Sequence, residues 1–517
     1  MAAIPQNAAT APGPSELAST DLKKVITTRQ FIFMALGSSI GAGLLIASGQ
    51  ALDVSGPAPL LIAFTVIGFA VWVTMCNLGE LSTNFPMGGS FYEFSVRFIS
   101  PAWGFTMGWN YVLNMIFVVP FEIIIMVMCA RYWDPSISAL YLVPGIICGL
   151  VVIYTCGTRW YAEAENLFGI LKLIVIGVFI ATAICILAGG VRTDPRPTVD
   201  LAYKQWGSGA FLNGAPGFFF AFATAGTAYG GTEMLGLTAA ECCSPQRVMK
   251  LAMIAVRIIL LHLVPVFLLS LVLTSRTSPL GAAGNGGSTK ELISPFVLAV
   301  TEANILVLPD FMNAVIVTSI FSVASACVFA ASRALQAISA RGMGPRFCAR
   351  LYRDKPVGAL SIIFTFSLLS FVKAARNGDE VFVWLLSLNS CSNYLTWLSI
   401  CVAQIRCRLA LKRQHKSFQD PQAYESPVGI VGSAVAIAIF AYGLVAQIAA
   451  AAKSPLVPPP PVPASFIGLL VVVVLWAGYV LYKRDWTFMI PLNMIELGPK
   501  EAMFTPATLP ESDQAPI

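Results

Sequence analysis

The sequence predicts an all-α integral membrane protein with twelve transmembrane helices. Three observations predict it. Of 517 residues, 57% are hydrophobic and 11% charged, with a mean hydropathy of +0.76, whereas a soluble domain carries about 25% charged residues. Apolar runs long enough to cross a ~30 Å hydrocarbon core recur along the chain. The basic residues concentrate in two connections that fall on the same side of the membrane when the runs are counted as spans. One holds Arg341, Arg346, Arg350, Arg353 and Lys355; the other holds Arg406, Arg408, Lys412, Arg413 and Lys416.

The spans are expected near 31–52, 58–81, 103–130, 140–157, 166–189, 215–240, 252–274, 311–338, 358–373, 381–403, 428–450 and 465–482. All should be helices, because a segment in lipid must satisfy its own backbone hydrogen bonds. The third and eighth are long and expected to tilt, and the ninth is short. Positive-inside counting puts both termini in the cytoplasm. Residues 1–30 are polar and rich in Ala and Pro, without an apolar core segment, so a disordered tail and no cleavable signal peptide are expected. Residues 483–517, rich in Pro and acids, read as a second disordered cytoplasmic tail.

Composition also excludes other classes. The net charge of +6 reflects the topological bias, with anionic inner-leaflet lipid rather than nucleic acid as its counterpart. The twelve cysteines avoid the outer loops proper, so no extracellular disulfide framework is implied, and Cys242-Cys243 lacks metal or redox spacing. Two histidines far apart, His262 and His415, exclude a histidine-box metalloenzyme. There is no P-loop, nor any nucleophile–base constellation, so neither an ATPase nor another enzyme is expected, and no cofactor.

The first span is unusual at its centre. It reads FIFMALGSSIGAGLLIASGQAL, and its middle, Gly37-Ser38-Ser39-Ile40-Gly41-Ala42-Gly43, is a poor helix core. Small residues there permit close helix packing. They also permit a discontinuous helix whose freed N–H and C=O groups hold a small solute at the midplane. After the Ser55-Gly56-Pro57 turn the second span runs to Gly79-Glu80-Leu81. Glu80 there has an ordinary reading as a helix-end carboxylate facing interfacial water or a basic loop.

From here a family resemblance is specific. The run SGPAPLLIAFTVIGFAVWVTMCNLGELSTNFP, Ser55 to Pro86, resembles the signature of the fungal amino acid permeases of the amino acid–polyamine–organocation (APC) superfamily. Matching motifs follow in order: Gly89-Ser90-Phe91, Pro101-Ala102-Trp103-Gly104, Gly108-Trp109-Asn110-Tyr111, Gly231-Thr232-Glu233, Ser294-Pro295-Phe296, Asn313-Ala314-Val315-Ile316 and Ser332-Arg333. They cover about residues 28–415. The resemblance implies a leucine-transporter-type fold: spans one to five (31–189) and six to ten (215–410) as inverted repeats, and two peripheral spans (428–482). It implies amino acid import, coupled to protons, in a fungal membrane. A transporter-like sensor that binds amino acids without moving them is the alternative, but such relatives carry a long cytoplasmic extension.

The sixth span supplies a partner break, Ala221-Phe222-Ala223-Thr224-Ala225-Gly226-Thr227-Ala228-Tyr229-Gly230-Gly231-Thr232-Glu233. Two interrupted spans in corresponding positions point to a site between them. A half-helix N-terminus suits a carboxylate, and a half-helix C-terminus offers carbonyls to an ammonium group. By resemblance, Gly41, Ala42 and Gly43 meet the substrate carboxylate, and Ser39, Thr227 and Gly230 line its amino end. Ala42 and the run Ala228-Tyr229-Gly230-Gly231 depart from familiar members, although Ala228 and Tyr229 are placed in the site with their neighbours.

Ionisable residues within spans are functional candidates, because burying a charge in lipid is costly. Glu122 follows Val119-Pro120-Phe121, where the family has a Pro-x-Glu implicated in substrate or proton handling; otherwise it is a satisfied structural carboxylate. Lys172 lies in the fifth span, where the resemblance puts a proton-coupling lysine; otherwise it snorkels to the inner interface. Glu233 is expected to order the sixth-span break or a gate, and Arg257 to be structural. In the eighth span, Ser322-Val323-Ala324-Ser325-Ala326 could face the first span or serve packing. In the tenth, Ser387-Leu388-Asn389-Ser390-Cys391-Ser392 brings Asn389 toward the substrate side chain by resemblance.

Overall fold

The computed structural model describes residues 26–85, 91–191, 209–239, 251–273, 294–352, 355–374, 378–418, 424–452 and 462–497. The Glu241–Lys250 loop with Cys242-Cys243, most of the Pro455–Pro463 spacer, residues 1–25 and residues 498–517 lie outside the described residues. Among the described residues there is one isolated bridge, Tyr352 to Lys355, and otherwise only helix and turn.

In chain order the helices are α1 (Thr28–Ser39), a π turn (Gly43–Ala47), α2 (Ser48–Ser55), α3 (Pro57–Asn84), α4 (Phe91–Phe98), α5 (Pro101–Ala130), α6 (Ala139–Cys156), α7 (Thr158–Leu187), α8 (Gly214–Ala228) and α9 (Met234–Ala239). They continue with α10 (Leu251–Val272), α11 (Pro295–Glu302), α12 (Leu308–Ala340), α13 (Arg346–Ala349), α14 (Val357–Ser367), a 3₁₀ segment (Leu368–Ala374), α15 (Gly378–Arg413), α16 (Gly429–Ala452) and α17 (Val462–Lys483). Among the described residues, nine helical segments are long and apolar enough to cross a membrane. Three expected spans have a different form. The sixth is divided into α8 and α9; the ninth turns from α helix into 3₁₀ at Leu368; the tenth lies inside the 36-residue α15, whose ends are charged.

Helix starts follow from local chemistry. Thr27 caps α1 in a capping box with Gln30, and Gln30 reaches on to Glu163 at 2.8 Å. Ser100 caps α5 with Pro101 at its first position. Gly56 (φ 82°) and Gly157 (φ 99°) adopt the left-handed region at the tight corners before α3 and α7.

The interior is built around α5 and α12, which share the most extensive helix–helix contact, with α1, α3, α8 and α15 also largely buried. The outer faces of α6, α7, α10, α16 and α17 remain apolar: Leu140, Val152, Leu167, Ile184, Leu260, Phe267, Val445, Leu470 and Val473 are exposed. Exposed apolar surface around a whole bundle is what lipid solvates, which makes this a multi-pass integral membrane protein.

At one end of the bundle Glu80 does not face water. It is fully buried, paired with Arg408 at 2.5 Å, and accepts from Gln404 Nε2 at 3.0 Å and from the Ser426 backbone at 2.6 Å. These contacts tie α3 to α15 and to the entrance of α16. Glu80→Ala is expected to cost about 3 kcal/mol, since it strands a half-buried guanidinium. Thermal unfolding of the purified protein measures this; an unchanged melting temperature would make the pair dispensable.

The second tail differs from expectation in its first part. Residues 485–497 are strapped across the same end of the bundle. Arg406 donates to the Ile490 carbonyl, Gln414 Nε2 to Leu492 and Ile495 carbonyls at 3.0 and 2.7 Å, and Arg97 Nε to Glu496 O at 2.7 Å. Ile495 and Leu497 are buried. Composition alone hid this, because the anchors are side chains far upstream.

Candidate functional site: a cavity between two interrupted helices

α1 stops at Ser39 because Ile40 turns to extended backbone (φ −101°, ψ 93°), and helical structure resumes as the Gly43–Ala47 π turn. α8 stops at Ala228, and residues 229–233 form turns through Gly231, whose φ of 90° suits glycine. The two breaks face one another at very short range. A Cβ on Gly43 would lie 2.6 Å from Ala228 Cα and 2.9 Å from the Thr227 carbonyl oxygen. One on Gly231 would lie 2.6 Å from the Ser38 carbonyl oxygen, and Ser38 Oγ donates to the Gly231 carbonyl at 3.2 Å. Only glycine permits these two backbone approaches.

A cavity opens between the breaks. Its lining includes Ser39, Gly41, Ala42 and Gly43 from the first, Thr227, Ala228 and Gly230 from the second, Glu122 from α5, Val323 from α12 and Asn389 from α15. Water-accessible space is about 30 Å³, room for two or three waters by the usual ~10–15 Å³ per site. Two polar atoms on this lining, Glu122 Oε2 and Thr227 Oγ1, are buried without a hydrogen-bond partner among the described residues. Glu122 is brought there by the long α5, with Pro120 two residues earlier inside the helix.

Tyr229 is an exception among the candidates. Its side chain turns away from the cavity; the hydroxyl donates to the Phe64 carbonyl at 3.0 Å and the ring stacks on His262. Glu233 lies off the cavity too: it is buried beneath the second break, where Oε2 accepts from Trp397 Nε1 at 3.1 Å. Asn389 Oδ1 accepts from Asn393 Nδ2, which also donates to the Gly226 carbonyl, both at 3.2 Å, and Asn114 donates to Asn393 at 3.1 Å. Asn393 and Asn114 thus brace the α8 end. The i, i+4 spacing of Asn389 and Asn393 was the available signal, being one helix face.

Lys172 is fully buried, pointing inward rather than to an interface. Its Nζ donates to the Gly37 carbonyl, two residues before the end of α1, and to Ser322 Oγ at 3.0 Å. Ser322 Oγ donates in turn to Glu165 Oε2 at 2.7 Å. Sequence reasoning missed Glu165. The apolar run was taken to begin at 166, whereas α7 begins at Thr158, so Glu165 is already inside the bundle, two turns from Lys172 on the same face. The result is an ammonium and a carboxylate on one helix, joined through Ser322 of α12 and attached to the first break.

Because Glu122 Oε2 has no hydrogen-bond partner among the described residues, removing its charge should spare the fold. Glu122→Gln is expected to weaken substrate affinity or flatten the pH profile of uptake by roughly tenfold, the effect of losing one charged hydrogen bond. Matching kinetics and pH profile between variant and parent would make Glu122 structural.

A helical bundle with two facing helix breaks around a small polar cavity is the architecture of a transporter rather than an enzyme. The family model described as "Amino acid permease" matches residues 30–491. An uncharacterized amino-acid permease of Schizosaccharomyces pombe is 37% identical over 471 residues, 90% of this chain and 79% of that one. The amino-acid permease GAP3 of Candida albicans is 34% identical over 487 residues, 92% and 79% of the two chains. The chain belongs to the amino acid permease family. Among solved structures, MhsT in complex with L-phenylalanine superposes with a TM-score of 0.57 at 14% identity, over 82% of this chain and 99% of that one, a likeness of fold.

Proposed function

We propose that this chain is a secondary active transporter that imports amino acids by proton symport through alternating access. In this reading it has twelve spans, two inverted five-helix repeats with two peripheral spans, both termini in the cytoplasm, and the plasma membrane as its site. One observation carries it: the cavity between the two breaks presents backbone ends to a zwitterion, and Glu122 and Thr227 add unpartnered polar atoms.

The substrate carboxylate would meet the N–H groups where helix resumes at Gly41–Gly43, and its ammonium the carbonyl side near Ser39 and Thr227. Neither group needs a charged protein partner. The ~30 Å³ cavity is smaller than any amino acid, so admission requires the segments around Gly43 and Gly231 to part. Separation on one side of the bundle and then on the other is alternating access. Lys172 and Glu165 sit where such a movement would be felt, since Lys172 holds the Gly37 carbonyl at the end of α1.

The test is uptake of a panel of labelled amino acids, with and without a protonophore. Accumulation that rises as external pH falls and collapses with the protonophore supports the proposal. Saturable binding without any net uptake would reveal a sensor instead.

A further inference from the structure

We propose that His262 of α10 is a proton-binding site that, as an imidazolium, staples the two interrupted helices together at their C-terminal ends. The side chain is fully buried. Nε2 lies 3.1 Å from the Ser39 carbonyl oxygen, the last residue of α1, and 3.1 Å from the Ala228 carbonyl oxygen, the last residue of α8. Nδ1 lies 2.8 Å from the Ile258 carbonyl oxygen on its own helix.

Every polar neighbour of the ring is therefore an acceptor. A neutral imidazole has one N–H and one lone pair. Either neutral tautomer would press that lone pair against a carbonyl oxygen. Only the imidazolium donates from both nitrogens, Nδ1–H to the Ile258 carbonyl and Nε2–H shared between the Ser39 and Ala228 carbonyls. Two further features favour the cation. Helix C-termini carry partial negative charge, and two of them converge on Nε2. The Tyr229 ring stacks on the imidazole with centroids 4.6 Å apart and planes at 28°, an arrangement that stabilises a cation.

The charged groups on the packed elements are Arg29 on α1, Glu80 on α3, Arg159, Glu163, Glu165 and Lys172 on α7, Glu302 on α11 and Arg257 on α10 itself. None of them is a hydrogen-bond partner of the ring, whose partners are the three carbonyls. His262 is thus a positioning residue distinct from the Lys172–Glu165 cluster. Its Nε2 proton holds the Ser39 end of α1 to the Ala228 end of α8, beside the contact with Gly43, and a ring without that proton turns a bare nitrogen to both carbonyls.

The chain has two histidines, so nitrogen NMR of [¹⁵N]histidine-labelled full-length protein in lipid nanodiscs resolves the question. His415→Gln leaves a single imidazole signal. At about pH 5, below the ordinary histidine value of ~6.5, both ring nitrogens of His262 are expected to carry protons. A neutral ring with one bare nitrogen at that pH would overturn the proposal. This arm does not depend on the transport reading. A second arm does: substrate exchange across proteoliposomes with equal pH on both sides. The parent should show a titration step that His262→Gln loses while still binding substrate; an unchanged pH profile in the variant would overturn the staple.

Discussion

Gly43→Val is expected to weaken amino acid binding by up to about 100-fold while leaving the protein inserted and folded. The added Cβ would fall 2.6 Å from Ala228 Cα and 2.8 Å from the Ala228 nitrogen, both backbone atoms that no rotamer change can move aside. The two breaks would be wedged apart at the point where their backbone groups are proposed to meet the substrate. Overpacking a tight interior site costs about 1–3 kcal/mol, and each 1.4 kcal/mol is roughly tenfold in affinity, so a loss of about 100-fold is expected. Gly145→Val is the control, since a Cβ there meets nothing within 4 Å. Binding of labelled amino acids to purified protein measures the effect. Normal affinity in Gly43→Val would show that the substrate does not use the junction of α1 and α8.

Lys172→Ala is expected to lose concentrative uptake and retain exchange of substrate across the membrane. The ammonium is attached to the Gly37 carbonyl and to Ser322, and through Ser322 to Glu165, so its loss disconnects the cluster from α1. Under the proposed symport, one proton moving with a zwitterion carries one net charge inward. A potential of ~100 mV then supplies ~2.3 kcal/mol, roughly 50-fold accumulation. That accumulation should vanish in the variant. Because Lys172→Ala leaves a buried carboxylate, the double variant with Glu165→Gln should restore thermal stability without restoring accumulation. Accumulation that needs sodium and resists a protonophore would show that the coupling ion is not the proton.

Much of this was legible in the chain itself. The break in the first span was visible in Gly37–Gly43, because glycine and serine disfavour a helix centre regardless of what packs on them. The break in the sixth span was visible for the same reason. Glu122 and Lys172 stood out because a charge inside an apolar run is rare.

Other features were not local. Glu165 falls one residue outside the apolar run at 166–189, whereas α7 begins at Thr158 and carries it into the bundle. Tyr229, adjacent to lining residues on both sides, turns its hydroxyl to the Phe64 carbonyl. His262 enters the sequence argument only as one of two histidines too far apart for a metal box; its partners are carbonyls contributed by residues 223 and 34 positions away. The membrane class and the positions of the two breaks follow from composition and local backbone preference, and the family follows from the resemblance of the Ser55–Pro86 run and the motifs after it. Only the tertiary structure decided that Gly43 touches Ala228, that Lys172 reaches Glu165 through Ser322, and that His262 lies between two helix ends. Those contacts join residues distant in the chain, and their geometry is set by helix packing rather than by any propensity of the residues that make them.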